Sequence, residues 1–211
     1  RPVTGGTSCC PAPPRLKVLA MSETRCTPGQ TVGPFYGIGL PFFGDSELVC
    51  DAFPGAIELH GTIFDGTGAA VPDALVEIWQ PDGAGRIPRA AGSFRRDGRT
   101  FTGWGRSATD GAGHYSFTTV TPGPTSEGRP PFFAVTVFAR GLLHRLFTRA
   151  YLPGTETGPE TDALLSAVEP ARRATLVCVA ESDSGRARYR FDIHLQGPKE
   201  TVFLAYEDDQ R

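Results

Sequence analysis

The chain has 211 residues, a formal net charge of −2 and a pI near 6.1, so it carries no electrostatic footprint for nucleic acid or an anionic membrane. Its 26 Gly and 19 Pro make up about a fifth of the sequence, against roughly 12% in average usage, and they are spread along its length. That excludes a helical bundle or coiled coil and implies many short elements in one domain with a single core.

No apolar run approaches the ~18 residues of a membrane span. Cys9, Cys10, Cys26, Cys50 and Cys178 show no CxxC spacing, which argues against a disulfide scaffold and against a zinc site. With no Asn to accept a glycan, a reduced, cytoplasmic setting is expected. The four histidines, His60, His114, His144 and His194, are scattered, and each reads by itself as a surface or core residue rather than a ligand.

Residues 1–20 are rich in Pro, Arg and small residues without a period, and they precede the chain's one Met. The stretch Leu16 to Ala20 is too short for the apolar segment of a signal peptide, so residues 1–20 read as an upstream or disordered extension and Met21 as the start. Residues 21–54 read as an N-terminal arm, and residues 55–211 as the domain. From about residue 55 the pattern is β: Ile57, Leu59, Gly61 and Ile63 alternate before an Asp65-Gly66 turn. A second strand spans Ala74 to Trp79 and closes at Pro81-Asp82-Gly83. Residues 84–105 read as a long loop, and Trp79 and Trp104 as core or interface anchors. Asp110-Gly111 introduces a strand through Tyr115 and Phe117 that ends at Pro122-Gly123-Pro124. Phe132 to Ala139 suits a strand buried on both faces, and Leu142 to Leu152, Tyr189 to Leu195 and Thr201 to Tyr206 continue the series. One helical excursion is expected near residues 161–174, capped by Thr161-Asp162 and restarted by Pro170. The fold class is all-β, a β-sandwich.

No Walker, HExxH or GxSxG pattern is present, and Gly37-Ile38-Gly39 does not continue into a nucleotide loop. Motif content alone leaves a sandwich without a role. Four ordered segments add more: Thr27 to Tyr36 (TPGQTVGPFY); Gly61 to Gly66, leading through Val71-Pro72-Asp73-Ala74 into Glu77-Ile78-Trp79-Gln80-Pro81-Asp82; Gly105-Arg106 with Thr109 to Phe117 and Pro122-Gly123-Pro124; and Arg188 to Ile193 (RYRFDI). Together they resemble the intradiol ring-cleavage dioxygenases over about residues 27–206. The strand-turn-strand portion alone also fits a transthyretin-like binding or scaffold module, which is the alternative reading.

The resemblance implies a non-haem Fe(III) held by two Tyr and two His, hard phenolates being suited to the ferric state. The family pattern places a Tyr after Gly-Arg, a Tyr after Pro-Gly-Pro, and a His-x-His after Arg-Pro. Here those places hold Ile87, Thr125, Phe132 and Ala134. Ile, Phe and Ala offer iron no side-chain donor and a lone Thr hydroxyl is a poor ferric ligand, so this chain is expected to bind no metal and to hold no catalytic residue, and the four are expected to pack a vestigial site. An independent iron dioxygenase is thereby disfavoured.

The family includes a metal-free subunit type that pairs with a metal-binding beta subunit in a hetero-oligomer. The run Val137 to Gly141 and the ending Phe191 to Phe203 also resemble that type. The resemblance implies that the arm (residues 21–54) contributes to the partner interface and that Fe(III) is held by the partner beta chain. The substrates would be protocatechuate (3,4-dihydroxybenzoate) and O2 at a shared pocket, with Thr31, Gly33, Pro34 and Arg140 of this chain as substrate-binding residues. A guanidinium suits a carboxylate, and Gly-Pro offers a flat backbone surface for a ring.

Overall fold

Alternating apolar residues and frequent turns resolve into two packed sheets in the computed structural model, which describes residues 31–33, 35–89, 96–154, 162–183 and 185–205. The expected extension at residues 1–20, the start at Met21 and Pro34 lie outside the described residues. A short helix, α1 (Tyr36–Gly39), precedes the strands β1 (Ala56–Phe64), β2 (Leu75–Trp79), β3 (Trp104–Ala108), β4 (His114–Val120), β5 (Phe132–Phe138) and β6 (Leu146–Tyr151). Helices α2 (Ala163–Ala167) and α3 (Pro170–Arg173) and a 3-10 turn (Ala174–Leu176) follow. Then come β7 (Val179–Asp183), β8 (Arg186–Arg190) and β9 (Ile193–His194).

One sheet has the order β4-β1-β8-β7, with β9 continuing beside β1, and the other has the order β3-β2-β5-β6. Ile57, Leu59, Ile63, Tyr115 and Phe117 from the first meet Val76, Ile78, Phe133, Val135 and Val137 from the second in one core cluster. The period-2 pattern of β1 and β4 produces this layer, because alternate side chains of a strand share one face. Gln80, just past β2, ties the sheets together: its Nε2 donates to the Val120 carbonyl at 2.9 Å, and its Oε1 accepts from the Thr119 hydroxyl at 2.5 Å.

The helical excursion begins as the sequence predicts, with the Asp162 side chain accepting from Leu164 N at 2.8 Å and Leu165 N at 3.2 Å, and Pro170 opening α3. Other elements depart from expectation. The loop read over residues 84–105 gives way at Trp104 to β3, an edge strand that pairs with β2 through Trp79 opposite Trp104 and Glu77 opposite Arg106. The strand read from Leu142 begins only at Leu146. Residues 201–205 contribute a single bridge, Leu204 with Phe147, rather than a strand. The run Tyr189 to Leu195 is split between β8 and β9, because Phe191 O accepts from the buried Tyr115 hydroxyl and Asp192 Oδ1 accepts from Thr62 N. β7 has no counterpart in the hydrophobic pattern. Within the arm, Leu48 and Val49 are buried, and Leu48 belongs to the main core.

Candidate functional site

Ile87 and Thr125 lie 38 positions apart in the sequence, and glycine lets the backbone bring them together. Gly85, at φ +79°, lies directly against the next loop: a Cβ there would stand 1.9 Å from Pro124 O, and one on Gly123 would stand 2.5 Å from Gly83 O. Asp82 stabilises the same turn by accepting from Ala84 N and Arg86 N, both at 2.9 Å, and these hydrogen bonds hold its exposed carboxyl below the usual range. On the sheet, Phe132 and Ala134 are alternate residues of β5 on one face, and Ala134 is flanked in register by Trp79 of β2 and Arg149 of β6. The four positions Ile87, Thr125, Phe132 and Ala134 accordingly line a single cavity of about 150 Å³.

Apolar groups dominate its walls, with Trp79, Pro81 and Pro88 beside Ile87 and Phe132. Of the polar side chains there, Gln80 is engaged with the opposite sheet and Thr102 donates to Trp104 O at 3.1 Å. Arg149 lies on this same face beside Ala134, its guanidinium 4.1 Å from the Phe132 ring centroid and 3.3 Å from Asp162. Beside it the Tyr151 hydroxyl donates to Asp162 at 3.1 Å, and burial pushes that phenol up to about 12. These residues do not fit a ferric ion, since among the described residues the cavity lining has no carboxylate, imidazole or free phenolate. Among the described residues, no group of three or more His, Cys, Asp or Glu could hold a metal ion.

The four residues do not close the space between them, because Ile87 remains 63% exposed. Trp79 is 53% exposed, so it is no core anchor; it stands at the lip of the cavity, 6.2 Å from Trp104 between ring centroids.

A second group of predicted residues meets at the other end of β5. The Thr31 hydroxyl accepts from Gly141 N at 3.1 Å, and Gly33 O accepts from Tyr36 N at 3.3 Å. Arg140, just beyond β5, ion-pairs with the Asp73 carboxylate, while the Tyr36 hydroxyl donates to the Asp73 carbonyl. Burial and the Asp73 carboxylate raise the Tyr36 phenol above its ordinary value, with Arg140 opposing. Thr31, Gly33 and Arg140 thus share one surface, on which the Arg140 side chain is 62% exposed. Beside it, Val32, Phe138 and Leu142 line a cavity of about 210 Å³. At ~3.3 Å per residue, about 20 Å of strand separates this surface from the cavity around Phe132, so the two cannot serve one ligand.

Sequence reading missed Asp73, Tyr36 and the Glu77–Arg106 pair. Arg106 donates to Glu77 Oε1 at 2.6 and 2.9 Å and to Leu40 O at 2.8 Å, fixing the arm to β2 and β3. Glu77 and Arg106 each lie in a family-like segment, yet only strand register shows that they face one another.

Comparison with known proteins agrees with this architecture. The family model described as Dioxygenase matches residues 50–197. The protocatechuate 3,4-dioxygenase alpha chain of Burkholderia cepacia is 37% identical over 197 residues, spanning 87% of this chain and 99% of its own length. The alpha chain of Pseudomonas putida is 34% identical, spanning 85% and 96%. The beta chain from Burkholderia cepacia is 31% identical over 152 residues, spanning 67% of this chain and 64% of its own. Among solved structures, the dioxygenase domain of a carbohydrate-binding fusion from Streptomyces sp. SirexAA-E has a TM-score of 0.55 at 24% identity, covering 81% of this chain and 99% of that one. Catechol 1,2-dioxygenase from Pseudomonas arvilla C-1 has a TM-score of 0.53 at 22% identity, covering 78% and 60%. The structural likenesses establish the fold alone.

Proposed function

Because this chain belongs to the intradiol dioxygenase family, whose members are iron enzymes, we propose that it is the metal-free alpha subunit of a protocatechuate 3,4-dioxygenase. The observation that carries this reading is the convergence of Ile87, Thr125, Phe132 and Ala134 on one cavity without an iron donor set, in a chain 34–37% identical to two alpha chains along nearly their whole length. The Burkholderia cepacia relatives, one alpha and one beta, support a hetero-oligomer in which a homologous beta chain holds Fe(III) and its four ligands. The assembly converts 3,4-dihydroxybenzoate and O2 into 3-carboxy-cis,cis-muconate, both oxygen atoms entering the product. When bound in the partner, the ferric ion supplies chelation of the catechol and its activation towards O2.

This chain contributes binding and orientation. The exposed Arg140 guanidinium faces outward from the arm surface, where it can take the substrate carboxylate in a charge-assisted hydrogen bond. Asp73 aims it, and the Tyr36 and Thr31 contacts hold the arm beside it. Gly33 supplies backbone surface against the ring, and the arm with its exposed Phe35, Ile38 and Phe43 provides apolar area for the partner interface.

The test is co-expression with a homologue that carries Gly-Arg-Tyr and His-x-His. The purified pair is expected to show ferric phenolate absorption, one iron per pair and protocatechuate-dependent O2 uptake. A colourless, inactive pair, or stoichiometric iron on this chain alone, overturns the reading.

A further inference from the structure

We propose that the notch over Ala134 is a binding site of this chain for one neutral, planar aromatic molecule, held without metal and without chemistry. Ala134 presents a single methyl between larger neighbours: Trp79 and Arg149 across the sheet, and Phe132 two residues back on the same face. The resulting cavity of about 150 Å³ is ring-sized, for an apolar protein cavity of ~150 Å³ accepts benzene. Trp79 offers an aromatic face at one side, and Phe132 a second ring against which the Arg149 guanidinium packs. Trp79 and Ile87 leave 53% and 63% of their surface exposed at the lip, apolar area that a bound ring removes from water.

The lining also fixes the charge of the ligand. Among the described residues, no acidic or basic side chain lines the cavity. The nearest cation, Arg149, is ion-paired with Asp162 at 3.3 Å and packs on the Phe132 ring. A carboxylate entering here would lose hydration and would have to compete with Asp162 for the Arg149 guanidinium. Gln80 and Thr102 are engaged elsewhere, whereas Thr125 is exposed on the lining with no protein hydrogen bond among the described residues, so its hydroxyl is the one left to meet a hydroxyl of the ligand. The class selected is therefore an uncharged benzene bearing a hydroxyl or hydroxymethyl group.

Benzyl alcohol is the probe, titrated by saturation-transfer NMR and Trp fluorescence into the protein purified in the assembly it forms. One molecule per copy of this chain is expected, with benzoate and the non-planar cyclohexylmethanol each at least tenfold weaker. Ala134→Leu, which fills the notch, should weaken benzyl alcohol at least tenfold without lowering the melting temperature. Thr125→Val should abolish the preference for benzyl alcohol over toluene. If Ala134→Leu does not fold, Trp79→Leu, on the exposed lip, takes its place with the same expected loss. Absence of saturable binding, equal binding of benzoate, or binding that survives these substitutions overturns the proposal. Binding that instead perturbs a ferric absorption band places the probe at a partner's iron, and also overturns it.

Discussion

Gly61 of β1 lies directly against the carbonyl of Phe191, where the chain breaks between β8 and β9. A Cβ at Gly61 would stand 2.0 Å from that oxygen, and the buried Tyr115 hydroxyl already donates to it at 2.5 Å. Neither neighbour can retreat, since Phe191 N also donates to His60 O at 2.7 Å. Gly61→Ala is therefore an overpacking substitution expected to cost about 1–3 kcal/mol. Thermal unfolding should show the melting temperature falling by roughly 2–12 °C. An unchanged melting curve would mean that the break is free to move aside.

Arg140 carries a prediction about substrate rather than fold. Arg140→Ala in the assembled enzyme should raise KM for protocatechuate at least tenfold, as loss of a charge-assisted contact of about 1.5–3 kcal/mol requires, while kcat changes little. Catechol, which lacks the carboxylate, should be turned over equally by both forms. Steady-state O2 uptake with the two substrates reads the difference, and equal KM values for protocatechuate remove Arg140 from the binding site.

Asp162 combines two roles that two substitutions separate. Its Oδ1 caps α2 and its Oδ2 serves Arg149 and Tyr151, with the residue only 4% exposed. Asp162→Asn keeps the cap acceptor and removes the charge, whereas Asp162→Ala removes both. Urea denaturation should find Ala the more costly, by about 1 kcal/mol for the lost cap. Equal losses would show that the cap contributes nothing.

Alkaline pH should destabilise the fold through two buried groups. Burial pushes the Cys178 thiol from 9.0 up to about 12, and the Tyr151 phenol from 10.0 up to about 12. The unfolded chain loses these protons first, so stability is intact below pH 9 and declines between pH 9 and about 12. Melting temperatures measured across that range should fall, and Cys178→Ala should move the onset towards pH 10, where the tyrosines take over. Rapid thiol alkylation of folded Cys178 at pH 8 would contradict the shift.

The cavity that joins Ile87, Thr125, Phe132 and Ala134 is wide enough to be tested by restoration. The combined substitutions Ile87→Tyr, Thr125→Tyr, Phe132→His and Ala134→His should confer binding of one ferric ion with a phenolate charge-transfer band. Any three of them should bind more weakly. A colourless quadruple variant that folds would mean that the four positions do not converge closely enough for coordination.

Much of this molecule was legible in its sequence because local chemistry sufficed. The alternation of Ile57, Leu59 and Ile63, the Asp162 cap with Pro170, and the Asp and Gly turns each depend on neighbours a few residues away, and each appears where the pattern places it. The same holds for the missing donors, since Ile, Phe and Ala lack a coordinating atom in any conformation. β3 and β7 were illegible because Gly105-Arg106-Ser107 and Ala180-Glu181-Ser182 owe their strand form to pairing with β2 and β8 rather than to their own propensity.

Tertiary structure alone decided what stands beside what. It set Arg106 against Glu77, Asp73 against Arg140, and His60, which reads as isolated, between Glu181 at 3.0 Å and His114 at 3.4 Å. It also left an open, ring-sized notch where packing was expected. The identity of a side chain dictates which bonds it can make, and strand register and loop contact, summed over the whole chain, dictate which partners come within reach.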